Sequence, residues 1–346
     1  MNVDMIEIDG SYGEGGGQML RTALALSTIT KKPFRMKHIR QGREKPGLKR
    51  QHVFCVSTLT SMWNGKAVNV REGSQEIEFY PGKLKRKTHE IDMGTAGSIT
   101  LLLQSLIWPA IHERTKLTFT ITGGTDVAWS MPYDYFEQVF LPMLRPYAKI
   151  NSQLLRRGFY PKGGGKVKIS ITGLNYDRPF RRIEQGHLMH MKGISVATKD
   201  LEDAQVAQRQ AMSAKFGTLD ILTQYVESDS TGSVITLLAM YSRNPEDISY
   251  QEPIILGADA LGERGVRAEV IGERARDKLK EQMGSGAPVD EHLADNLIPL
   301  LGMYGGEIKV AKITPHTLTN IYVCEQFLSV RFDVDEASRI IRCTKR

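Results

Sequence analysis

Apolar and polar residues alternate over Met5-Ile-Glu-Ile-Asp9, and beyond a glycine-rich interval the apolar spacing lengthens to that of a helix from Met19 to Ser27. The same succession returns at His89-Glu-Ile-Asp-Met93, with Gly94-Thr-Ala-Gly-Ser98 as its turn and Ile99 to Trp108 as its helix. Between the two, the pattern predicts a strand near Phe34–Ile39, a helix from Pro46 towards Trp63, and strands near Ala67–Val70 and Glu76–Tyr80. That order is βαβαββ. The second copy continues with a strand over Leu117–Thr122, a helix over Pro132–Leu144 and strands near Ile150–Leu155 and Lys166–Ile171. A third copy follows Val289: helix Glu291–Met303, strand Glu307–Val310, helix Leu318–Phe327, and strands Ser329–Asp333 and Ser338–Cys343. Repeats this long imply packed pseudo-equivalent units rather than a solenoid.

One stretch breaks the rhythm. From about Glu184 to Gly284 the pattern gives a strand (Leu188–Ala197), a helix (Leu201–Leu219), two strands (Val234–Tyr241 and Ile254–Ala260) and a helix (Val266–Met283). The third repeat's opening strand then falls before this stretch, near Ile183. The fold class expected is therefore α+β. A large three-repeat domain occupies 1–183 and 285–346, and a smaller α+β domain is inserted at 184–284, bordered by Gly284-Ser-Gly286.

With 346 residues, 41% of them hydrophobic, the chain has ample material for a core. A net charge of +7 favours a polyanionic partner. Cys55, Cys324 and Cys343 are far apart and form no C-x-x-C pair, which argues against zinc and for reduced thiols in a cytoplasmic setting. The start of the chain enters a strand pattern with no signal-peptide order, and the best apolar run, Ile99 to Ile111, is interrupted by Gln104 and Pro109, so no membrane association is expected. Nothing in the chain points to an oligomer.

The candidate chemistry begins at Gly13-Glu-Gly-Gly-Gly-Gln18. Its glycines let backbone N–H groups approach an anion ahead of a helix N-terminus, although a lone glycine cluster is more often a flexible turn. Glu14 is out of place beside phosphates unless a divalent cation stands between, which suggests a metal-nucleotide site; Gln18 and Arg21 follow on nearly the same helical face. A P-loop is excluded because Gln18-Met19 replaces Lys-Ser/Thr, and a G-x-G-x-x-G frame fails at Gln18. The segment 39–52 gathers Arg40, Arg43, Lys45, Lys49 and Arg50, either a phosphate-reading cluster or a solvated helix end; further basic patches lie at Lys83–Lys87, Arg156-Arg157, Lys162 and Lys166. His316, just after Pro315, is either a nucleophile towards phosphorus or a helix-cap histidine. Asp295 is a candidate for a metal or a ribose hydroxyl.

Taken together, these segments closely resemble the RNA 3′-terminal phosphate cyclase family. The resemblance rests on Asp9-Gly-Ser-Tyr-Gly-Glu-Gly-Gly-Gly-Gln-Met-Leu-Arg21, Arg43-Glu-Lys-Pro-Gly-Leu-Lys-Arg-Gln-His52, Gly94-Thr-Ala-Gly-Ser98 with Gln104, Gly123-Gly-Thr-Asp126, Gly158-Phe-Tyr-Pro-Lys-Gly-Gly-Gly165, Glu291-His-Leu-Ala-Asp295 and His316-Thr-Leu-Thr-Asn320. It implies three βαβαββ units like the C-terminal domain of translation initiation factor three, with a smaller domain inserted in the third. It also implies an ATP-dependent enzyme, assisted by Mg²⁺ or Mn²⁺, that acts on RNA carrying a 3′-phosphate. By position, His316 would be the nucleophile that becomes adenylated and Glu14 the metal ligand. Arg21 and Arg43, with Arg40 beside them, would contact phosphates; Gln51 and His52 would line the pocket. Gln104 and the run His292, Leu293, Ala294, Asp295 and Asn296 match the family's ATP-binding positions, with Glu14 and Gln18 in the cradle. Two departures stand out: Met131-Pro132 where Pro-Pro is frequent, and Asn296 where Gln is frequent. A non-catalytic ribosome-assembly relative and an enolpyruvyl transferase are the competing readings; a metal-nucleotide cradle with a nucleophile argues against the first, the basic 40–50 cluster against the second.

Overall fold

The structure, a computed structural model, describes residues 5–13, 15–244, 246 and 252–346. The fold is α+β, built on four mixed sheets of four strands each. The first unit runs β1 (Ile6–Asp9), α1 (Gly17–Thr30), β2 (Phe34–Lys37), α2 (Arg50–Met62), β3 (Lys66–Val68) and β4 (Ile77–Tyr80). Its sheet order is β1-β2-β4-β3, with β1 and β2 parallel and the other pairs antiparallel. The second unit runs β5 (Thr88–Asp92), α3 (Ile99–His112), β6 (Leu117–Gly123), then α4 (Tyr133–Tyr135), a π-helical stretch (Phe136–Phe140) and α5 (Leu141–Met143), then β7 (Ala148–Arg156) and β8 (Gly165–Gly173). Its order, β5-β6-β8-β7, repeats the first. The helix expected at Pro132–Leu144 is thus present, with a wider turn at its centre.

β9 (Phe180–Arg182) opens a third sheet, and the chain then leaves it for about a hundred residues. That excursion contains β10 (His187–Thr198), a 3₁₀ turn (Lys199–Leu201), α6 (Val206–Ala214), β11 (Asp220–Val226), β12 (Ser233–Ser242), β13 (Ile254–Leu261) and α7 (Ala268–Gly284), with sheet order β11-β10-β12-β13. Two expectations are corrected here. The helix foreseen over Leu201–Leu219 is only α6, bounded by a left-handed Gln205 (φ 52°) before it and an extended Lys215 after it, and β11 was not foreseen at all. β11 is an edge strand with one paired neighbour and alternate residues exposed, so it lacks the apolar run of the central β12. The chain returns as α8 (Glu291–Tyr304), β14 (Gly306–Lys309), α9 (Pro315–Phe327), β15 (Val330–Asp335) and β16 (Ile340–Lys345), completing the order β9-β14-β16-β15.

One large core joins the three like-ordered sheets through α1, α3, α8 and α9. Residues Met19 to Thr28 of α1 are buried without interruption, Arg21 included, because the helix packs against both α3 and α9. The excursion has its own cluster around Leu237, Leu256, Ile271 and Leu279. It is tied to the rest by Asp290, the N-cap of α8, whose carboxylate accepts from Tyr135 Oη at 2.5 Å and from the Gly257 N–H at 2.9 Å. Among the described residues no helix is long and apolar enough to cross a membrane.

Candidate active site

α1 begins where the glycine bend ends. Its N-cap, Gly16, supplies no side-chain acceptor, and no acidic residue lies in its first turn. The N–H groups of a helix start need partners, and together they carry about half a positive charge. The corresponding helices of the other units are closed by their own side chains: Ser98 Oγ accepts from the Leu101 N–H at 3.2 Å, and Asp290 accepts from His292 and Leu293. Of these three pseudo-equivalent starts, α1 alone lacks a side-chain cap among the described residues.

Two further helix starts converge on it. A Cβ built on Gly17 would stand 1.9 Å from His52 Nε2, so the imidazole from the first turn of α2 occupies the space that glycine leaves. A Cβ on Gly16 would stand 3.4 Å from His316 Cε1, which places the second helical residue of α9 against the same bend. Thr319 Cγ2 meets Gly13 in the same way, and Tyr12 stacks on Tyr322 at 4.2 Å. His316 and the first glycine bend, far apart in sequence, are therefore neighbours. Three helix N-termini facing one place create a positive potential suited to phosphate groups.

The ionisable groups agree with that potential. Arg21 lies in the buried run of α1, and its Nε donates to Gln104 Oε1 at 2.9 Å. No carboxylate pairs with it among the described residues, and burial pulls the guanidinium below its usual range. A desolvated cation without a counter-ion is costly and points to an anionic ligand. His52 is held down to about 3, first by burial and then by Arg21, Arg40 and Lys49. Its Nδ1 accepts from the Lys49 N–H at 3.0 Å, so in the neutral ring Nε2 carries the proton and faces the glycine bend.

The other predicted residues fall as follows. Gln104 also donates from Nε2 to Asn296 Oδ1 at 2.8 Å, and Asn296 Nδ2 donates to the His292 carbonyl at 2.7 Å, so one amide relay links α1, α3 and α8. Gln18 is half-buried near the start of α1. Gln51 is committed to the second glycine turn: its Oε1 accepts from the Ser98 N–H at 2.9 Å and its Nε2 donates to the Ser98 carbonyl at 3.2 Å. Arg40 is buried, donating to the carbonyls of Lys45 and Gly47, and it shapes the loop on which the exposed Arg43 stands. His292 is exposed. Leu293 and Ala294 are fully buried in the core and present no side-chain surface, so any part they have is to seat α8. Asp295, considered for a metal or a ribose, is buried and holds α9 through one oxygen: its Oδ1 accepts from Thr314 Oγ1 and Thr317 Oγ1, both at 2.6 Å, and burial raises its carboxyl. Glu14 lies outside the described residues. Arg157, counted among the basic patches, is instead buried between Asp126 and Asp134 and is unavailable to a backbone.

Sequence reasoning missed Asn320, which accepts from Thr22 Oγ1 at 2.8 Å and donates to the Asp295 carbonyl at 2.6 Å. It also missed Thr314 and Thr317, although a threonine before Pro315 with another three residues on is a legible cap. These residues fix the ring-bearing end of α9. His316 Nδ1 is shielded and has no hydrogen-bond partner; Nε2 is not shielded in that way.

Among the described residues no group of three or more His, Cys, Asp or Glu could hold a metal. The groups described around the bend are amide, imidazole and guanidinium, so the expectation of a divalent cation rests on Glu14.

A profile described as RNA 3′-terminal phosphate cyclase matches residues 12–334. The chain is 42% identical over 338 residues to the RNA 3′-terminal phosphate cyclase of Pyrococcus abyssi, covering 96% of this chain and 95% of that one. It is 41% identical over 342 residues to that of Methanosarcina barkeri (96% and 97%), and 41% over 352 residues to that of Sulfurisphaera tokodaii (99% of each). The chain belongs to the RNA 3′-terminal phosphate cyclase family.

Proposed function

We propose that the protein converts an RNA 3′-terminal phosphate into a 2′,3′-cyclic phosphodiester at the expense of ATP, through an adenylate carried on His316. The observation that carries the reading is the meeting, at one glycine bend, of His316, the start of α1 and the buried Arg21, which has no carboxylate partner among the described residues. The unshielded Nε2 of His316 attacks the α-phosphorus; a P–N bond forms, the bond to the β-phosphate oxygen breaks and pyrophosphate leaves. An oxygen of the RNA 3′-phosphate then attacks the same phosphorus, breaking the P–N bond and giving RNA(3′)pp(5′)A. Finally the 2′-hydroxyl attacks the terminal phosphorus, loses its proton, and AMP departs.

The last step needs little beyond placement, since nucleophile and phosphorus share one nucleotide and oriented intramolecular reactions reach effective molarities of about 10⁵–10⁸ M. The protein's contribution is charge stabilisation. Arg21, the Nε2–H of His52 and the N–H groups of α1 face the phosphates, Arg43 stands at the rim, and Gln104 and Asn296 hold the guanidinium. A divalent cation, Mg²⁺ or Mn²⁺, on Glu14 and phosphate oxygens would offset further negative charge.

The test is incubation with α-labelled ATP and a divalent cation. Acid-labile, alkali-stable label on the protein is expected, absent from His316→Ala. Unlabelled wild type, or equal label on the variant, rejects the mechanism. RNA ending in 3′-phosphate should be converted and RNA ending in 3′-hydroxyl should not.

A further inference from the structure

We propose that Trp129 and Tyr160 form a stacking platform for the unpaired bases of single-stranded RNA next to its 3′ end; the inference rests on the cyclase reading above. Trp63 and Trp108 are buried, but Trp129 is 97% exposed, and Tyr160 is 75% exposed. Neither is a loose tip. Trp129 has φ +66°, a left-handed backbone that bulky residues avoid, and its loop is anchored on both sides: Ser130 Oγ donates to the Val127 carbonyl at 2.8 Å, and Thr100 Oγ1 donates to the Met131 carbonyl at 2.8 Å. Tyr160 sits between the buried Phe159 and a turn closed by Gly163 N–H to the Phe159 carbonyl at 2.8 Å, with the Lys162 N–H bound to Ser230 Oγ at 3.0 Å. A fixed backbone that holds an aromatic ring in water is preorganised for a face-on partner.

The two loops belong together. The Thr125 N–H donates to the Gly158 carbonyl and the Gly158 N–H to Thr125 Oγ1, both at 2.9 Å, while Arg157 clamps Asp126. Both loops rest on the glycine turn before α3, since Cβ atoms built on Gly124 and Gly163 would strike the backbone of Ala96. That turn is held by Gln51, the neighbour of His52, whose ring meets Gly17 beside His316. A chain of direct contacts therefore links the loops that carry the two rings to the glycine bend beside the proposed nucleophile.

Its chemistry favours RNA over protein. The rings stand on glycine-containing segments and are accompanied by exposed Lys162, Lys166 and Lys168, none of which has an ion-pair partner among the described residues, rather than by the contiguous apolar area of a protein interface. Lysines track phosphates while rings accept any base face, so recognition would be tolerant of sequence and selective for unpaired strands.

Because Trp129 is the one exposed tryptophan, its fluorescence reports directly. A single-stranded RNA pentamer ending in 3′-phosphate should quench the emission, and Trp129→Phe should remove the change. Trp129→Ala and Tyr160→Ala should each weaken binding of the pentamer by about ten-fold. A blunt duplex with the same terminal phosphate should bind both variants as it binds wild type. Self-adenylation with labelled ATP, measured in parallel, should be unchanged. Wild-type affinity for the pentamer in the double variant, no quenching by RNA, or equal quenching by ATP alone each overturns the platform. Absence of adenylate on wild type would instead overturn the cyclase reading, so the two failures are distinct.

Discussion

The imidazole of His316 stands against Gly16, with a Cβ on that glycine falling 3.4 Å from Cε1 and 3.7 Å from Nδ1. Gly16 has φ −79° and ψ 162°, which any residue adopts, so the glycine is needed for space and not for backbone freedom. Gly16→Ala should leave the melting temperature nearly unchanged and fill the gap before the ring. We expect the rate of covalent labelling from ATP to fall at least ten-fold; an unaltered rate would show that nothing is bound in that gap.

Gly17 and His52 are closer still. Gly17→Ala forces a methyl onto Nε2, and relief requires the buried ring to move, at a cost of about 1–3 kcal/mol. Adding His52→Ala should restore much of that stability in the double variant. Denaturant unfolding of the four proteins measures the coupling; simple additivity would contradict the contact.

Arg21 should trade stability for function. Arg21→Met removes a buried cation that has no carboxylate partner among the described residues, and the free protein should gain about 1–4 kcal/mol. The same change should abolish labelling, and Arg21→Lys should not rescue it, because a point ammonium cannot reproduce the fork held by Gln104. A loss of stability together with retained labelling would refute the role.

His52 should impose a pH slope on stability. Its folded value, about 3, lies below the ordinary 6.5, so between those values the unfolded chain binds the extra proton. The stability is whole above about 6.5 and is lost as pH falls towards 3, by about 1.4 kcal/mol per unit within the window. Asp134, which burial pushes up to about 6, contributes the opposite slope between its ordinary 3.8 and that value. Wild type is therefore to be compared with His52→Asn, whose stability should change less steeply on acidification, by that increment.

Much of the element order was legible because each strand and helix carries its own period: the alternation at Ile6–Asp9 and Thr88–Asp92, and the long apolar helices after each glycine turn, depend only on near neighbours in the chain. β11 was not legible, since an edge strand half in water has no apolar signature, and neither was the π turn at Phe136–Phe140, which changes spacing by a single residue. Among the site candidates, the glycine bend and Arg21 were legible by residue type, and His52 and His316 only through the family motifs; neither route showed which side chains, such as those of Leu293 and Ala294, lie wholly inside the core. Burial decides that, and burial is set by α8 packing on α9.

The sequence by itself determined most of the segments that form strands and helices, β11 excepted, and which side chains have chemistry suited to phosphates, because propensity, periodicity and ionisation are local properties. Only the tertiary structure decided that three helix starts meet at one bend and that, among the described residues, α1 is the uncapped one of its counterparts and Arg21 has no counter-ion. Those facts depend on which distant surfaces bury one another, a balance of packing and desolvation summed over the whole chain that no single segment contains.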